Sequence, residues 1–141
     1  MIEFETARLV AKSNMNLVDF VLVEEFVDNK NPIDLLNIEK TTGKESGFVF
    51  YDKTNEGIDV CHIGFKKARN KFEITYGTKE EYRNQGYMSE ALSALITWLF
   101  EYTKTESVWA IPNGNISEKI LIENAFKQEK DDKYNWFVRR R

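Results

Sequence analysis

The chain has 141 residues, of which 42% are hydrophobic and 30% charged, and its formal net charge is −3. This length and balance predict one soluble domain, residues 1–141, with a single core. The acidic balance argues against a nucleic-acid-binding protein, which normally presents a basic surface. No apolar run approaches the roughly 20 residues needed to cross a bilayer. The N-terminus lacks the pattern of a signal peptide, so we expect a cytoplasmic protein.

The chain contains one cysteine, Cys61, and one histidine, His62. One cysteine cannot form an internal disulfide, which fits a reducing compartment. The two residues are too few for a thiolate or imidazole metal site, so we predict no metal centre. Adjacent residues on a strand point to opposite faces and cannot form a catalytic pair. Cys61 is therefore expected to be a small buried side chain and His62 a structural strand residue.

The N-terminal third of the chain has a strand pattern followed by two helical patterns. The strand is predicted at 8–11, and the helices at 17–27 and 33–38, where apolar residues recur at helical spacing. A proline between the two helical segments separates them, because proline cannot continue a helix interior.

The next third of the chain has the pattern of an antiparallel meander. Residues 47–52 and 58–67 are rich in aromatic and β-branched side chains, which favours strands. The polar stretch 54–57 between them predicts a hairpin turn. Residues 71–78 alternate between apolar and polar side chains and form the third strand of the meander.

A long amphipathic helix follows this meander and reaches Tyr102. Its apolar residues recur at the spacings i, i+3, i+4, i+7 and i+8, so they form one continuous stripe. The stripe comprises Met88, Ala91, Leu92, Leu95, Ile96, Leu99 and Phe100. Residues 107–111 form the next strand. A right-handed connection through the helix makes this strand parallel to the one at 71–78.

The C-terminal segment predicts one more helix and a final strand pair. Asn115 and Glu118 have the spacing of a capping box for a helix through Asn124. Residues 126–129 and 134–139 are the two strands. The predicted architecture is a mixed α/β fold: a twisted sheet of about six to seven strands with helices on both faces.

A glycine turn, Arg83-Asn-Gln-Gly86, precedes the long helix. A helix start carries unpaired backbone N–H groups and a partial positive charge, and Gly86 permits a positive φ. Together with the Arg83 guanidinium, these features are those of a pyrophosphate cradle. The alternative is an ordinary turn with a surface arginine. The glycine spacing excludes the Rossmann and Walker A phosphate loops.

The segment Tyr82-Arg-Asn-Gln-Gly-Tyr-Met-Ser-Glu-Ala91 resembles the acetyl-coenzyme A signature of the GNAT superfamily of N-acetyltransferases. That signature is Arg/Gln-x-x-Gly-x-Gly/Ala at the start of a long helix. Further segments resemble the branch that acetylates the N-termini of ribosomal proteins. They are Thr6–Leu9, Ile63–Phe65, Phe72–Tyr76 and Ser117–Phe126, and they occur in that branch's order along nearly the whole chain.

The resemblance implies a GNAT-like fold in which two central parallel strands splay apart. The pantetheine arm of the coenzyme would insert between them, and the pyrophosphate would lie on the turn before the helix. An asparagine near the last helix would also contact the coenzyme; the family position is Gly114 here, so a neighbouring asparagine would have to replace it. The implied coenzyme-binding residues are Tyr76, Gly77, Thr78, Arg83, Asn84, Gln85, Gly86, Tyr87, Met88, Asn113 and Asn115.

The resemblance also implies direct attack of a primary amine on the acetyl thioester. Glu73, or a water chain, would accept the proton of the amine, and a backbone N–H near 76–78 would polarise the thioester oxygen. Many members protonate the thiolate with a tyrosine of the last helix, but Leu121 stands there, and Ser117 matches the serine proposed for the N-terminal-acetylating branch. Met88 and Ala125 also differ from the commonest family residues.

The acceptor remains open among a peptide or protein N-terminus, a polyamine-like amine and an antibiotic amine. The oligomeric state remains open between a monomer and a homodimer. The departures from the family pattern leave an alternative function: a non-catalytic domain of the same fold that binds coenzyme A or a protein partner. A structural interaction module that binds no coenzyme is a third possibility.

Overall fold

The computed structural model describes residues 3–13, 46–68, 71–102 and 105–141. One sheet organises these residues. Its strands are β1 (Glu3–Glu5), β2 (Leu9–Ser13), β3 (Ser46–Asp52), β4 (Asn55–Ala68), β5 (Lys71–Thr78), β6 (Ser107–Ala110), β7 (Lys127–Gln128) and β8 (Phe137–Arg140). The spatial order is β1-β2-β3-β4-β5-β6-β8-β7. Strands β5 and β6 are parallel, whereas every other neighbouring pair in this sheet is antiparallel.

The mixed sheet of the α/β prediction is confirmed, but it has eight strands rather than six to seven. The additional strand is β1, which pairs with β2 at the sheet edge. Three residues are too short to show a reliable alternation in the sequence. Phe4 nevertheless packs against the core while Glu3 and Glu5 are exposed, so β1 follows the period-2 rule of a half-buried strand.

Two α-helices, α1 (Tyr87–Tyr102) and α2 (Asn115–Glu123), lie in the described part of the chain. The predicted apolar stripe of α1 is confirmed: its residues are buried, except that Phe100 is only partly buried. Both helices contribute to the same core cluster as Phe72 and Ile74, so both cover that face of β5. The helices predicted at 17–27 and 33–38 lie outside the described residues.

Aromatic rings fill the core between α1 and the first strands. The Phe48 ring lies 5.2 Å from the ring of Trp98 on α1 and 5.1 Å from that of Phe4. Phe65 continues this cluster towards Phe72 on β5, at 5.2 Å. Each such ring stabilises the fold by roughly 1.5–3 kcal/mol when it leaves water. The cluster therefore fixes α1 against the sheet and, with it, the turn that precedes α1.

Among the described residues, no helix is long and apolar enough to cross a membrane.

The hairpin between β3 and β4 turns earlier than the sequence predicts. Asp52 pairs with Asn55, so the turn lies before 55 rather than at 54–57. The Asp52 carboxylate accepts hydrogen bonds from the Thr54 backbone N–H at 2.8 Å and from its hydroxyl at 2.7 Å. These two local hydrogen bonds close the turn and let β4 begin at Asn55.

The C-terminal elements also differ from their predicted bounds. Asn115 is the first residue of α2 rather than its cap; the cap is Gly114, which has a φ of 96° and no side-chain capping bond. The final strands are shorter than predicted, because the Asp131 carboxylate holds the connection between them. It accepts hydrogen bonds from the Tyr134 backbone at 2.7 Å and from the Trp136 indole at 2.9 Å.

Candidate active site

The parallel strands β5 and β6 meet at only one register position, Glu73 with Trp109. On its other side β5 pairs with β4 along its whole length, from Lys71 to Thr78. Alternate backbone groups of a strand point to its two neighbours. The groups of 74–78 that point towards β6 therefore face a gap between two strands, and this gap is the geometry that an inserted extended ligand requires.

A cleft of about 630 Å³ opens beside this gap. Its walls are the C-terminal half of β5, the turn before α1, the start of α1 and one side of α2. Most of the predicted site residues line it. They are Tyr76, Gly77, Thr78, Arg83, Asn84, Gly86, Tyr87, Met88, Asn113 and Ser117.

The turn before α1 forms one end of the cleft. Gly86 has a φ of 79° and Asn84 a φ of 63°, conformations that glycine and asparagine adopt at low cost. The Glu90 backbone N–H makes the first helical bond, to the Gly86 carbonyl at 3.1 Å. The N–H groups of the first helical turn before it have no partner within the helix and carry the positive end of its dipole. This end of the cleft therefore suits an anion.

Arg83 is fixed at the same end of the cleft. Its Nε donates a hydrogen bond to the Thr78 carbonyl at 3.0 Å, which joins the turn to the end of β5. The two terminal nitrogens of a guanidinium held in this way are suited to binding phosphate oxygens.

A pair of hydroxyl groups lies in the middle of the cleft wall. Tyr76 Oη on β5 and Ser117 Oγ on α2 share a hydrogen bond of 2.6 Å. Burial raises the pKa of the Tyr76 phenol, and the hydrogen bond with Ser117 offsets part of that effect. Both groups are therefore protonated at neutral pH. Two hydroxyls bonded to each other need only one of their protons for the bond, so the other proton is available to a ligand.

Three predicted site residues do not line the cleft: Glu73, Gln85 and Asn115. Glu73 lies where β5 and β6 pair and is only 6% exposed. Strand alternation places it on the face of β5 opposite to Tyr76. The Gln85 amide turns back to donate to the Glu81 carbonyl at 2.9 Å. Asn115 is exposed at the start of α2, so of the two candidate asparagines only Asn113 contributes to the cleft wall.

Gly77 lies beside the His62 ring of the neighbouring strand β4. A Cβ at this position would lie 2.9 Å from Cε1 of His62, so the exposed ring would have to move to admit a side chain. His62 is exposed and Cys61 is buried, as the alternation along β4 predicts. Burial, with a smaller contribution from the Glu90 carboxylate, raises the pKa of the Cys61 thiol to about 12. That thiol is unreactive at neutral pH.

The sequence prediction missed most of the contribution of α2 to the cleft. Ile116, Lys119, Ile120 and Glu123 lie along one side of this helix and line the cleft together with Ser117. Their spacing of three and four residues is the signal that identifies a common helical face. Ile120 lies three residues after Ser117, and further steps of three or four residues from Ile120 lead to the other three.

The family model of the acetyltransferase (GNAT) domain matches residues 22–127. The chain therefore belongs to the GNAT family of acetyltransferases, and proteins of this family use acetyl-CoA. No curated protein sequence matches the chain.

Solved structures with the same fold cover almost the whole chain. A ribosomal-protein-S5-alanine acetyltransferase from Vibrio fischeri has 15% identity and a TM-score of 0.68, over 99% of this chain and 97% of that one. An acetyltransferase from Agrobacterium tumefaciens has 14% identity and a TM-score of 0.71, over 100% of this chain and 95% of that one. RimL, a ribosomal L7/L12 α-N-protein acetyltransferase in complex with coenzyme A, has 13% identity and a TM-score of 0.68, over 99% and 98%.

Proposed function

We propose that this protein transfers the acetyl group of acetyl-CoA to a primary amine. The observation that carries the proposal is the cleft itself. It joins a gap between two parallel strands to a helix start whose first N–H groups have no partner within the helix. Both features border the same cleft. The first feature suits an extended amide-bearing arm, and the second suits a pyrophosphate. Acetyl-CoA carries both groups.

Residues of the cleft would hold acetyl-CoA, the acetyl donor, at two places. The backbone of Tyr76, Gly77 and Thr78 would pair with the amides of the pantetheine arm in place of the missing β6 partner. Arg83 and the amides at Gly86–Met88 would hold the pyrophosphate. Bound acetyl-CoA supplies an activated thioester. Holding an amine next to it turns a bimolecular reaction into an effectively unimolecular one.

Three groups of the chain would then act on the reaction. A backbone N–H at 76–78 that faces the gap would stabilise negative charge on the thioester oxygen. Glu73 would accept the proton of the attacking amine, either directly or through water, from the opposite face of β5. Ser117, hydrogen-bonded to Tyr76, would donate a proton to the departing sulfur. The C–N bond forms, the C–S bond breaks, and one proton passes from nitrogen to sulfur by way of the protein.

The acceptor in this proposal is the primary amine of a peptide or protein N-terminus or of a small molecule. A peptide N-terminus is supported by the fold shared, over nearly the full length of both chains, with acetyltransferases of ribosomal proteins. At 13–15% identity this likeness supports the fold and leaves the choice of amine to experiment.

The test is a thermal-shift titration with acetyl-CoA on the wild type and on Gly86→Glu. A ligand at 100 times its Kd stabilises the folded state by about 2.7 kcal/mol, roughly 5–10 °C in Tm for a chain of this size. The Gly86→Glu change should abolish this shift, because it adds a bulky, negatively charged side chain, at a φ of 79°, to the turn that would hold the pyrophosphate.

Two further variants serve as controls. Gly86→Ala introduces the backbone strain of a side chain at a φ of 79° without the charge. Gly57→Glu adds the same carboxylate at an exposed position of β4 outside the cleft and should respond like the wild type. A wild type without a shift would refute coenzyme binding. A shift without release of free coenzyme A in the presence of any amine would favour the alternative, a non-catalytic domain that binds the coenzyme.

A further inference from the structure

Arg8, immediately before β2, reaches across to the turn before α1. Its Nη1 donates a hydrogen bond to the Gln85 carbonyl at 3.0 Å. Its guanidinium stacks on the Tyr87 ring, 4.0 Å from the ring centre. A Cβ built on Gly86 would lie 3.5 Å from its Nη2. The guanidinium thus contacts the residues on both sides of Gly86, Gln85 in the turn and Tyr87 at the start of α1, and it is not part of the cleft lining.

The Glu90 carboxylate holds Arg8 in this position. Glu90 accepts hydrogen bonds from Arg8 Nε at 2.7 Å, from the Arg8 backbone N–H at 2.9 Å and from the Thr6 hydroxyl. Burial alone would raise the pKa of Glu90, but the bonds from Thr6 and Arg8 outweigh it, so the pKa is lowered. The carboxylate is therefore ionised at neutral pH and forms an ion pair with Arg8.

We propose that Arg8 is a positioning residue for the coenzyme phosphates: it orients the Gln85–Gly86 peptide so that the Gly86 N–H points into the cleft. The inference rests on the proposed function. In a planar trans peptide the C=O and the N–H point in opposite directions. A carbonyl held outward by Arg8 therefore directs the following N–H inward, towards the bound anion. It also keeps a carbonyl oxygen, which would repel phosphate, away from the cleft.

The contribution of Arg8 is geometric rather than a direct ion pair with the ligand. Arg8 does not line the cleft, and its charge is paired with Glu90. Loss of the guanidinium should let the peptide rotate, which removes one phosphate-facing donor and exposes one acceptor. The resulting loss of affinity is expected for ligands with the pyrophosphate and is not expected for the pantetheine arm.

The experiment compares Arg8→Met with the wild type by calorimetric titration of coenzyme A and of S-acetyl-pantetheine, which lacks the phosphates. Methionine keeps the apolar contact with Tyr87 but donates no hydrogen bond. The Kd for coenzyme A should rise about tenfold, equivalent to 1.4 kcal/mol, while the Kd for S-acetyl-pantetheine stays within twofold. Arg8→Lys keeps the charge but not the planar guanidinium with its several N–H donors. It should therefore recover only part of the affinity for coenzyme A that Arg8→Met loses.

The matched control is Arg140→Met. Arg140 on β8 is also ion-paired, with Glu129 at 2.9 Å, and also lies over an aromatic ring, that of Trp109. It is outside the cleft and should leave both constants unchanged. An unchanged Kd for coenzyme A in Arg8→Met, or an equal loss for both ligands, would overturn the assignment of Arg8 alone. A wild type that binds neither ligand would overturn the proposed function and this inference with it.

Discussion

The two residues proposed to move protons lie on opposite sides of β5. Glu73 is buried on one face, and Tyr76 contacts Ser117 on the other. A strand that separates a carboxylate from a hydroxyl pair in this way gives the attacking amine and the departing sulfur different partners.

We expect Glu73→Gln and Ser117→Ala each to lower kcat by about 10²–10⁴-fold, the usual contribution of a general base or acid. The KM for acetyl-CoA should change little, because neither side chain is proposed to hold the coenzyme. Tyr76→Phe keeps the ring but removes the partner of Ser117, and its loss should be smaller. Steady-state rates over a range of pH are the measurement.

The two variants should differ in their pH profiles. Glu73→Gln should remove the contribution of the base to the fall in rate at low pH, whereas Ser117→Ala should lower the rate without changing the profile, because a serine hydroxyl does not ionise in the accessible pH range. A Glu73→Gln variant that keeps the wild-type rate and profile would assign the proton to a water chain instead. A Ser117→Ala variant with an unchanged rate would remove the hydroxyl pair from the mechanism.

At the scale of the element, the end of α2 is closed by a strained residue. The Phe126 N–H bonds to the Leu121 carbonyl and the Ala125 N–H to the Ile122 carbonyl, both at 3.0 Å, which is the Schellman pattern. Buried Leu121 and Phe126 supply its hydrophobic contact. The pattern requires a left-handed residue between them, and Ala125 occupies that position with a φ of 64°.

Ala125→Gly should therefore stabilise the protein by roughly 1 kcal/mol. The left-handed conformation costs a residue with a Cβ about 1–2 kcal/mol, and the greater backbone freedom of glycine in the unfolded state offsets part of the gain. The free energy of unfolding in urea is the measurement. Ala94→Gly, the same change inside α1, should instead destabilise by about 0.5–1 kcal/mol. A lower stability of Ala125→Gly would show that the cap is not strained.

At the scale of the whole molecule, the Glu90 carboxylate joins the first strands of the sheet to the start of α1. Its partners Thr6 and Arg8 come from a segment 82 to 84 residues away in the chain. The α1 end of the cleft is thus fixed by a contact between distant parts of the sequence. Ser89 makes a second such contact, because its hydroxyl accepts a hydrogen bond from the Asn124 amide of the α2 end at 3.1 Å.

The lowered pKa of Glu90 makes this junction sensitive to acid. A carboxyl whose pKa in the folded state lies below its ordinary value of 4.5 contributes stability that is complete above that value. The contribution is lost as the pH falls through the folded-state pKa. Glu90→Gln should thus be less stable than the wild type at pH 7, by about 1–3 kcal/mol for the loss of charged hydrogen bonds. The difference should shrink as the pH falls below 4.5 and the carboxylate becomes protonated in the folded state.

Chemical denaturation at pH 7 and at pH 3 measures both values. Glu80→Gln, at an exposed position before α1, is the control and should follow the wild type at both pH values. A deficit of Glu90→Gln that is the same at pH 7 and pH 3 would show that the ionised carboxylate is not what stabilises the junction.

Local patterns in the sequence were sufficient for several parts of the site. The apolar stripe of α1 and the alternation of β5 depend on the residues of one element, because they reflect which side of that element is buried. The glycine turn carries its own conformational signal, and Gly86 does adopt a positive φ. These three features place most of the predicted coenzyme-binding residues on one wall of the cleft, including Arg83.

Other parts of the site were decided only by tertiary packing. Tyr76 meets Ser117 across 41 residues and Arg8 meets Glu90 across 82. The gap between β5 and β6 depends on how far two strands diverge, which no pattern within either strand encodes. The sequence by itself determined which elements form and which of their faces are buried, since these follow from interactions within a few residues. Only the folded sheet decided which side chains meet, because those contacts join segments that are close in space and distant in the chain.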